Sequence, residues 1–294
     1  MYMQFFGNYL LNQGLVSAAA LMDALDKQAE VTVSFEALAV NDALVDAAQA
    51  EAARAEAEKS GKFIGDVMVE KGFLTQEQVG ALLHAPPPGH LLLGQALVEG
   101  GHMSAEQFEA ALSSYKNQNS IPDADFHNVK DGVIKLLIGK FCEIIESSEA
   151  SKYITSYLTL LFKNLIRFVG DDFAPLEIKY LRGMVCTRCV AQKINGKFSA
   201  VSVIDAEGDA LVGFASRFSK ETIKAPDEYA LACLSEFLNL HNGLYAVNFS
   251  NEEGDELELE PQTAYEEYDL EYMENIYIVP VCFTFGTINF IISF

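Results

Sequence analysis

The chain has 294 residues, half of them apolar, and a formal net charge of −22. That length holds two domains, and that apolar content builds a packed core rather than a disordered chain. The acidic balance argues against nucleic acid, which needs clustered Lys and Arg to neutralise phosphates, and five cysteines, an odd number, suit a reducing compartment better than a disulfide framework.

The opening Met1-Tyr2-Met3-Gln4 lacks a basic n-region followed by an apolar h-region, so no secretory signal is read and a cytoplasmic location is expected. Residues 1–116 are organised as repeats. Gly7, Gly65 and Gly94 each stand seven residues before a second glycine (Gly14, Gly72, Gly101), and Ser17, Thr75 or Ser104 follows three residues later. Apolar residues come next at matching offsets: Leu21 and Leu25, Val79 and Leu83, Phe108 and Leu112. The pattern predicts a short helix, a glycine stop, a Ser/Thr N-cap and a longer helix. Glu77 and Glu106 lie just inside the caps, where negative charge suits the helix dipole. The first two glycine pairs are 58 residues apart and the last two 29, so a degenerate unit is expected over Phe35 to Lys59. Its Ala-rich periodicity (Ala43, Leu44, Ala47, Ala50, Ala53, Ala57) predicts one long helix.

These units resemble the MshEN-type N-terminal domains of type II secretion and type IV pilus assembly ATPases. Some of those domains bind cyclic di-GMP through tandem motifs beginning Arg-Leu-Gly. Here the triplets are Phe5-Phe6-Gly7, Phe63-Ile64-Gly65 and Leu92-Leu93-Gly94, with only Lys62 beside one of them. The arginine that would grip phosphate and stack on a base is absent each time, and this half holds six Lys and Arg against fifteen Asp and Glu. Cyclic di-GMP binding is therefore not expected, and the repeats read as a helical protein-docking or structural module.

Polar, turn-forming residues from Asn117 to Asp123 mark a linker, placed at 117–125, before a second domain over 126–294. Val129 to Ser147 and Ser151 to Gly170 read as amphipathic helices; Lys163 and Arg167 interrupt the second and argue against a membrane span. Strands are expected at Leu176 to Arg182, Val185 to Ile194, Phe198 to Asp205 and Ala210 to Ser216, with hairpin turns at Asn195-Gly196 and Glu207-Gly208-Asp209. Cys186 and Cys189 have the spacing of half a zinc site, but no second pair exists; in a strand they would point to opposite faces, so they read as inert core cysteines and no metal site is expected. A short helix is expected over Phe218 to Ile223. Ile276 to Phe294 is uncharged and long enough to cross a bilayer, yet Pro280, Gly286 and its β-branched and aromatic content predict two buried strands. The fold class is α+β, preceded by an all-helical repeat domain.

Between these strands lies an amphipathic helix. At about 100° per residue, Ala230, Leu231, Leu234, Phe237, Leu238, His241 and Tyr245 form its core face. Tyr229, Ala232, Glu236, Asn239, Leu240 and Gly243 fall on the opposite stripe, where a carboxylate and an amide can reach into a partner laid against small residues. From Glu252 to Glu274 there are eleven carboxylates, and Ala225 to Phe294 contains no Lys or Arg. That run reads as a solvated loop or hairpin.

The segment from Phe173 to Phe294 resembles the CheX-type chemotaxis phosphatases, relatives of the CheC class. The match is the Glu-x-x-Asn helix with glycine four residues later, Glu236, Asn239 and Gly243, opened by Asp227-Glu228 and followed by a Pro-containing stretch and two closing strands with Gly286 between them. The resemblance implies hydrolysis of the aspartyl phosphate of a response-regulator receiver domain, with Asn239 orienting water, Glu236 pairing with the receiver's lysine, and Tyr229, Ala232, Leu240 and Gly243 forming the docking surface. It implies no cofactor of the chain's own, only a divalent metal such as Mg²⁺ on the receiver; a homodimer is left open, and neither membrane nor nucleic acid is a partner. The competing expectation is a non-catalytic scaffold or sensor that uses the repeats to bind proteins or cyclic di-GMP.

Overall fold

The computed structural model describes residues 2–119, 137–142, 148–271, 273 and 275–294. The chain divides into two compact units, Ala19–Val129 and a second made of Met1–Ala18 with Lys130–Phe294. The first helix, α1 (Tyr2–Asn12), therefore groups with the C-terminal unit rather than with the repeats that follow it. Phe5 meets the Phe162 ring edge-on at 5.5 Å, and the Asn8 side chain donates to the Pro175 carbonyl at 2.7 Å. Of the expected linker, Asn117 and Gln118 close a helix and 120–125 lie outside the described residues, as does most of the helix read over Val129 to Ser147.

The repeat unit holds α2 (Ala18–Lys27), α3 (Phe35–Asn41), α4 (Ala47–Ser60), α5 (Ile64–Glu70), α6 (Gln76–His84), α7 (Gly89–Glu99) and α8 (Ala105–Gln118). The period is 29 residues throughout. Gly14, Ala43, Gly72 and Gly101 all take positive φ, at 64°, 53°, 72° and 70°. The degenerate unit thus turns at Ala43 instead of running through it, and its longer helix begins at Ala47 after the Asp46 cap. Asp46, Thr75 and Ser104 each form a capping box, and the reciprocal partner is Gln49, Gln78 or Gln107 at the third helical position. Four residues past each cap position, Leu21, Ala50, Val79 and Phe108 are buried, and seven past, so are Ala24, Ala53, Leu82 and Ala111. The expected apolar position at offset eight is buried at Leu25 but fails in another unit, where Leu83 is 58% exposed. A Cβ on Gly94 would sit 2.3 Å from the Phe108 ring, so this glycine admits a close helix approach.

In the second unit the strands are β1 (Phe173–Pro175), β2 (Lys179–Leu181), β3 (Val185–Cys186), β4 (Cys189–Asn195), β5 (Ala200–Asp205), β6 (Glu258–Leu259), β7 (Thr263–Tyr265), β8 (Tyr268–Asp269), β9 (Ile276–Phe283) and β10 (Gly286–Ser293). Its helices are α9 (Ser148–Phe168), α10 (Gly208–Ser219) and α11 (Glu228–Glu253). Strands run antiparallel in the order β1-β9-β10-β5-β4-β6, with β2 also on β9 and β7 also on β4; β3 and β8 form a separate ribbon. Ile276 to Phe294 forms two paired strands, and no helix among the described residues is long and apolar enough to cross a membrane. Pro280 sits in mid-strand at the break between β1, which pairs with 281–283, and β2, which pairs with 276–278. Its carbonyl accepts from the Leu176 N–H at 2.8 Å, so the missing N–H costs no ladder bond.

Ala210 to Ser216, read above as a strand, is helical. Ala210, Leu211, Phe214 and Ala215 are buried at helix spacing. Glu207-Gly208-Asp209 is correspondingly a helix start rather than a hairpin turn, and α10 ends at Lys220 (φ 63°), leaving no separate helix over Phe218 to Ile223. Gly286, at φ 133°, brings β10 so close to α10 that a Cβ would lie 2.8 Å from that of Ala210. Alternation along β4 and β5 divides the core into two layers. Ala191, Val201 and Val203 face a cluster with Cys186, Cys189, Leu270 and Ile276, while Gln192 and Ser202 face the helices. All five cysteines are free and buried. Cys186 and Cys189 lie on the same side, not opposite ones, because the chain bends between β3 and β4; the Cys186 hydrogen bond and burial both push the Cys189 thiol up, away from the reactive thiolate.

Candidate functional site

Helix α11 carries the sequence-identified residues. Asp227 caps it, accepting from the Ala230 N–H at 3.1 Å, and Gly254 ends it at φ 75°. Every residue assigned to the core face is buried: Ala230, Leu231, Leu234, Phe237, Leu238, His241 and Tyr245. Phe214 packs edge-on to Phe237 at 5.1 Å, which seats α10 against α11. On the opposite stripe Tyr229, Ala232 and Glu236 are exposed, and Asn239, Leu240 and Gly243 are half-buried. A Cβ on Gly243 would meet nothing within 4 Å, so the helix backbone is open to an approaching surface there. The Tyr229 hydroxyl donates to Glu221 at 3.0 Å.

Asn239 differs from its neighbours on this stripe in being tethered from behind. Gln192 on β4, 2% exposed, donates through Nε2 to Asn239 Oδ1 at 3.0 Å and to the Glu260 carbonyl at 2.9 Å. Gln192 Oε1 in turn accepts from Asn242 Nδ2 at 2.9 Å, and Asn242 Oδ1 accepts from the Tyr157 hydroxyl at 3.0 Å. Tyr157 also bonds Ser202, and burial pushes its phenol up, so it stays a neutral donor. Sequence reasoning missed this whole series. Its only local signals are a glutamine inside an apolar strand and a second asparagine one turn after Asn239.

His241, one position before Asn242, is fully buried and packs edge-on with Tyr157, the ring centroids 4.4 Å apart. Asn164 Nδ2 donates to His241 Nδ1 at 3.1 Å, which leaves the proton on Nε2 without a protein partner. Burial pushes its pKa down to about 3. Among the described residues no group of three or more His, Cys, Asp and Glu side chains is arranged to hold a metal ion. The acidic segment is engaged locally: Glu253 and Asp255 pair with Lys197, Glu260 with Lys193 and Glu266 with Arg188. In the repeat unit Lys62, the sole cation beside a glycine triplet, pairs with Glu70.

No family model and no curated protein matches the chain. Among solved structures it is similar to a CheC-like superfamily protein from Shewanella sp. PV-4, at 15% identity and a TM-score of 0.42, over 48% of this chain and 96% of that one. It is likewise similar to the chemotaxis protein CheX from Desulfovibrio desulfuricans, at 9% identity and a TM-score of 0.40, over 48% and 97% of the two chains. A third similar structure is a CheX–CheY–BeF₃–Mg²⁺ complex from Borrelia burgdorferi, at 18% identity and a TM-score of 0.38, over 48% and 96%.

Proposed function

We propose that this chain hydrolyses the aspartyl phosphate of a response-regulator receiver domain in chemotaxis or related two-component signalling. An acyl phosphate is already activated, and the receiver brings its own divalent metal and lysine. What the reaction lacks is a water held in line behind phosphorus, so positioning carries the catalysis. An amide side chain suits that task because it donates and accepts at once and does not ionise near neutral pH. Asn239 holds the water; the water oxygen bonds to phosphorus as the bond to the aspartyl oxygen breaks, the carboxylate departs as an anion and the water's protons leave with the inorganic phosphate. Glu236, one turn earlier and exposed, pairs with the receiver's lysine and sets the docking register. Tyr229, Ala232, Leu240 and Gly243 form the contact face, and the open space at Gly243 admits close approach.

The observation that supports this reading best is the contrast on one helix face between the exposed Glu236 and an amide tethered by a buried glutamine at 3.0 Å. A merely solvated stripe needs no such tether. The test is dephosphorylation of a panel of phosphorylated receivers by wild type and Asn239→Ala. Acceleration by the wild type that falls about 100-fold or more in the variant, with unchanged melting, supports the assignment. Equal rates for both proteins refute it. No acceleration by either favours the scaffold reading, in which the capped 29-residue repeats are the binding element.

A further inference from the structure

We infer that Gln192 is a positioning residue that fixes which end of the Asn239 amide faces the receiver. The inference rests on the phosphatase reading for its consequence, but its geometry stands on the structure. A backbone carbonyl can only accept, so the Glu260 oxygen at 2.9 Å requires the nitrogen of Gln192 to face it. The second N–H of that same nitrogen points at Asn239, which must therefore present its oxygen, at 3.0 Å. The remaining Gln192 oxygen accepts from Asn242, whose own oxygen accepts from Tyr157. Each member has its donors and acceptors matched, and the direction of the whole series is set by one carbonyl that cannot rotate. Inverting the Asn239 amide would set its Nδ2 against Gln192 Nε2, two donors facing each other at hydrogen-bond distance.

With the inner lone pair of Oδ1 occupied, Asn239 presents its Nδ2 hydrogens and one remaining lone pair on the outer side. Those are the donor and the acceptor needed to hold a water in one orientation. Gln192 is 2% exposed and reaches no receiver itself, so it acts through Asn239 alone. Losing it loosens the amide without altering Glu236 or the exposed stripe. The expected signature is a lowered kcat with KM retained.

The experiment compares wild type, Gln192→Met, Asn239→Ala and the double variant on a phosphorylated receiver, with melting curves for each. Gln192→Met keeps the length of the side chain and removes its donors. We expect kcat to fall about 10- to 100-fold with KM within about twofold, and no further loss when the substitution is added to Asn239→Ala. An unchanged kcat in a folded Gln192→Met protein overturns the proposal, as does an equal further loss in the double variant. Side-chain ¹⁵N relaxation of the Asn239 amide in the unmodified protein gives a second reading that does not depend on the variant folding. An order parameter above about 0.8 is expected, and one below about 0.6 overturns the proposal. If the wild type accelerates no receiver, the phosphatase reading fails, and the same relaxation measurement on wild type and Gln192→Met still decides whether Gln192 orders the amide: a drop in order parameter in the variant is expected, and an unchanged one overturns the proposal.

Discussion

Lowering the pH from 7.5 to 5.0 should destabilise the C-terminal unit through His241, and the size of the effect follows from its surroundings. The ring is fully buried, faces Asn164 and the edge of Tyr157, and holds a pKa near 3. In the unfolded chain a histidine titrates near 6.5. Because the folded value is depressed, the unfolded state binds more protons below pH 6.5, so stability is full above that pH and is lost as pH falls from 6.5 toward 3. At pH 5.0 the unfolded chain gains about 2 kcal/mol from this one group. Carboxylates titrate over the same range, and the half-buried Asp205, whose pKa desolvation raises, acts in the opposite direction. Comparison with His241→Gln, which keeps an acceptor for Asn164, cancels those shared contributions. Urea unfolding of both proteins at the two pH values, followed by circular dichroism, should show the wild type losing about 2 kcal/mol more than the variant. An identical loss in the two proteins would mean that His241 is solvated or protonated in the native state, and the burial argument would be wrong.

Two further outcomes separate backbone effects from docking. Gly243→Ala fills empty space in mid-helix, so it should stabilise α11 by about 1 kcal/mol while raising KM for a phosphorylated receiver; a higher melting temperature with unchanged KM would remove Gly243 from the docking face. In the repeats, Ala43→Gly should stabilise by about 0.5–1 kcal/mol and Gly72→Ala should cost about 1–2 kcal/mol, because both residues sit in the left-handed region, at φ 53° and 72°, and only glycine does so without a Cβ penalty. Thermal melts of the two variants moving in the same direction would contradict the equivalence of these turns.

The parts of the fold that the sequence expresses as a period were legible in it. The core face of α11 is complete because seven apolar or ring side chains recur at helical spacing and all seven are buried. The repeat emerges from Gly14, Gly72 and Gly101, since positive φ at a helix end selects glycine. Its second unit was expected over Phe35 to Lys59 from the spacing of its neighbours, but the turn inside it was hidden because Ala43 takes the same conformation without being glycine. Ala210 to Ser216 was misread for a different reason. Its run of small and apolar residues fits a buried strand, and the spacing of Ala210, Leu211, Phe214 and Ala215 decides for helix only once Glu207-Gly208-Asp209 is understood as a helix start. The α1 grouping was not legible either, because contacts such as Asn8 to Pro175 join positions 167 residues apart.

The tether on Asn239 belongs to that last kind. Periodicity says which face of α11 a residue occupies and nothing about what stands behind it. Gln192 lies 47 residues before Asn239 and 68 before Glu260; the pairing of β4 with β6 and β7 brings Glu260 to it, and the packing of α11 against β4 brings Asn239. Glu260 is held on both sides, its N–H donating to the Lys193 carbonyl at 3.0 Å and its own carbonyl accepting from Gln192. The acidic segment thus does more than provide charge. One of its backbone groups is the fixed acceptor from which the orientation of Gln192, and through it that of the Asn239 amide, is set.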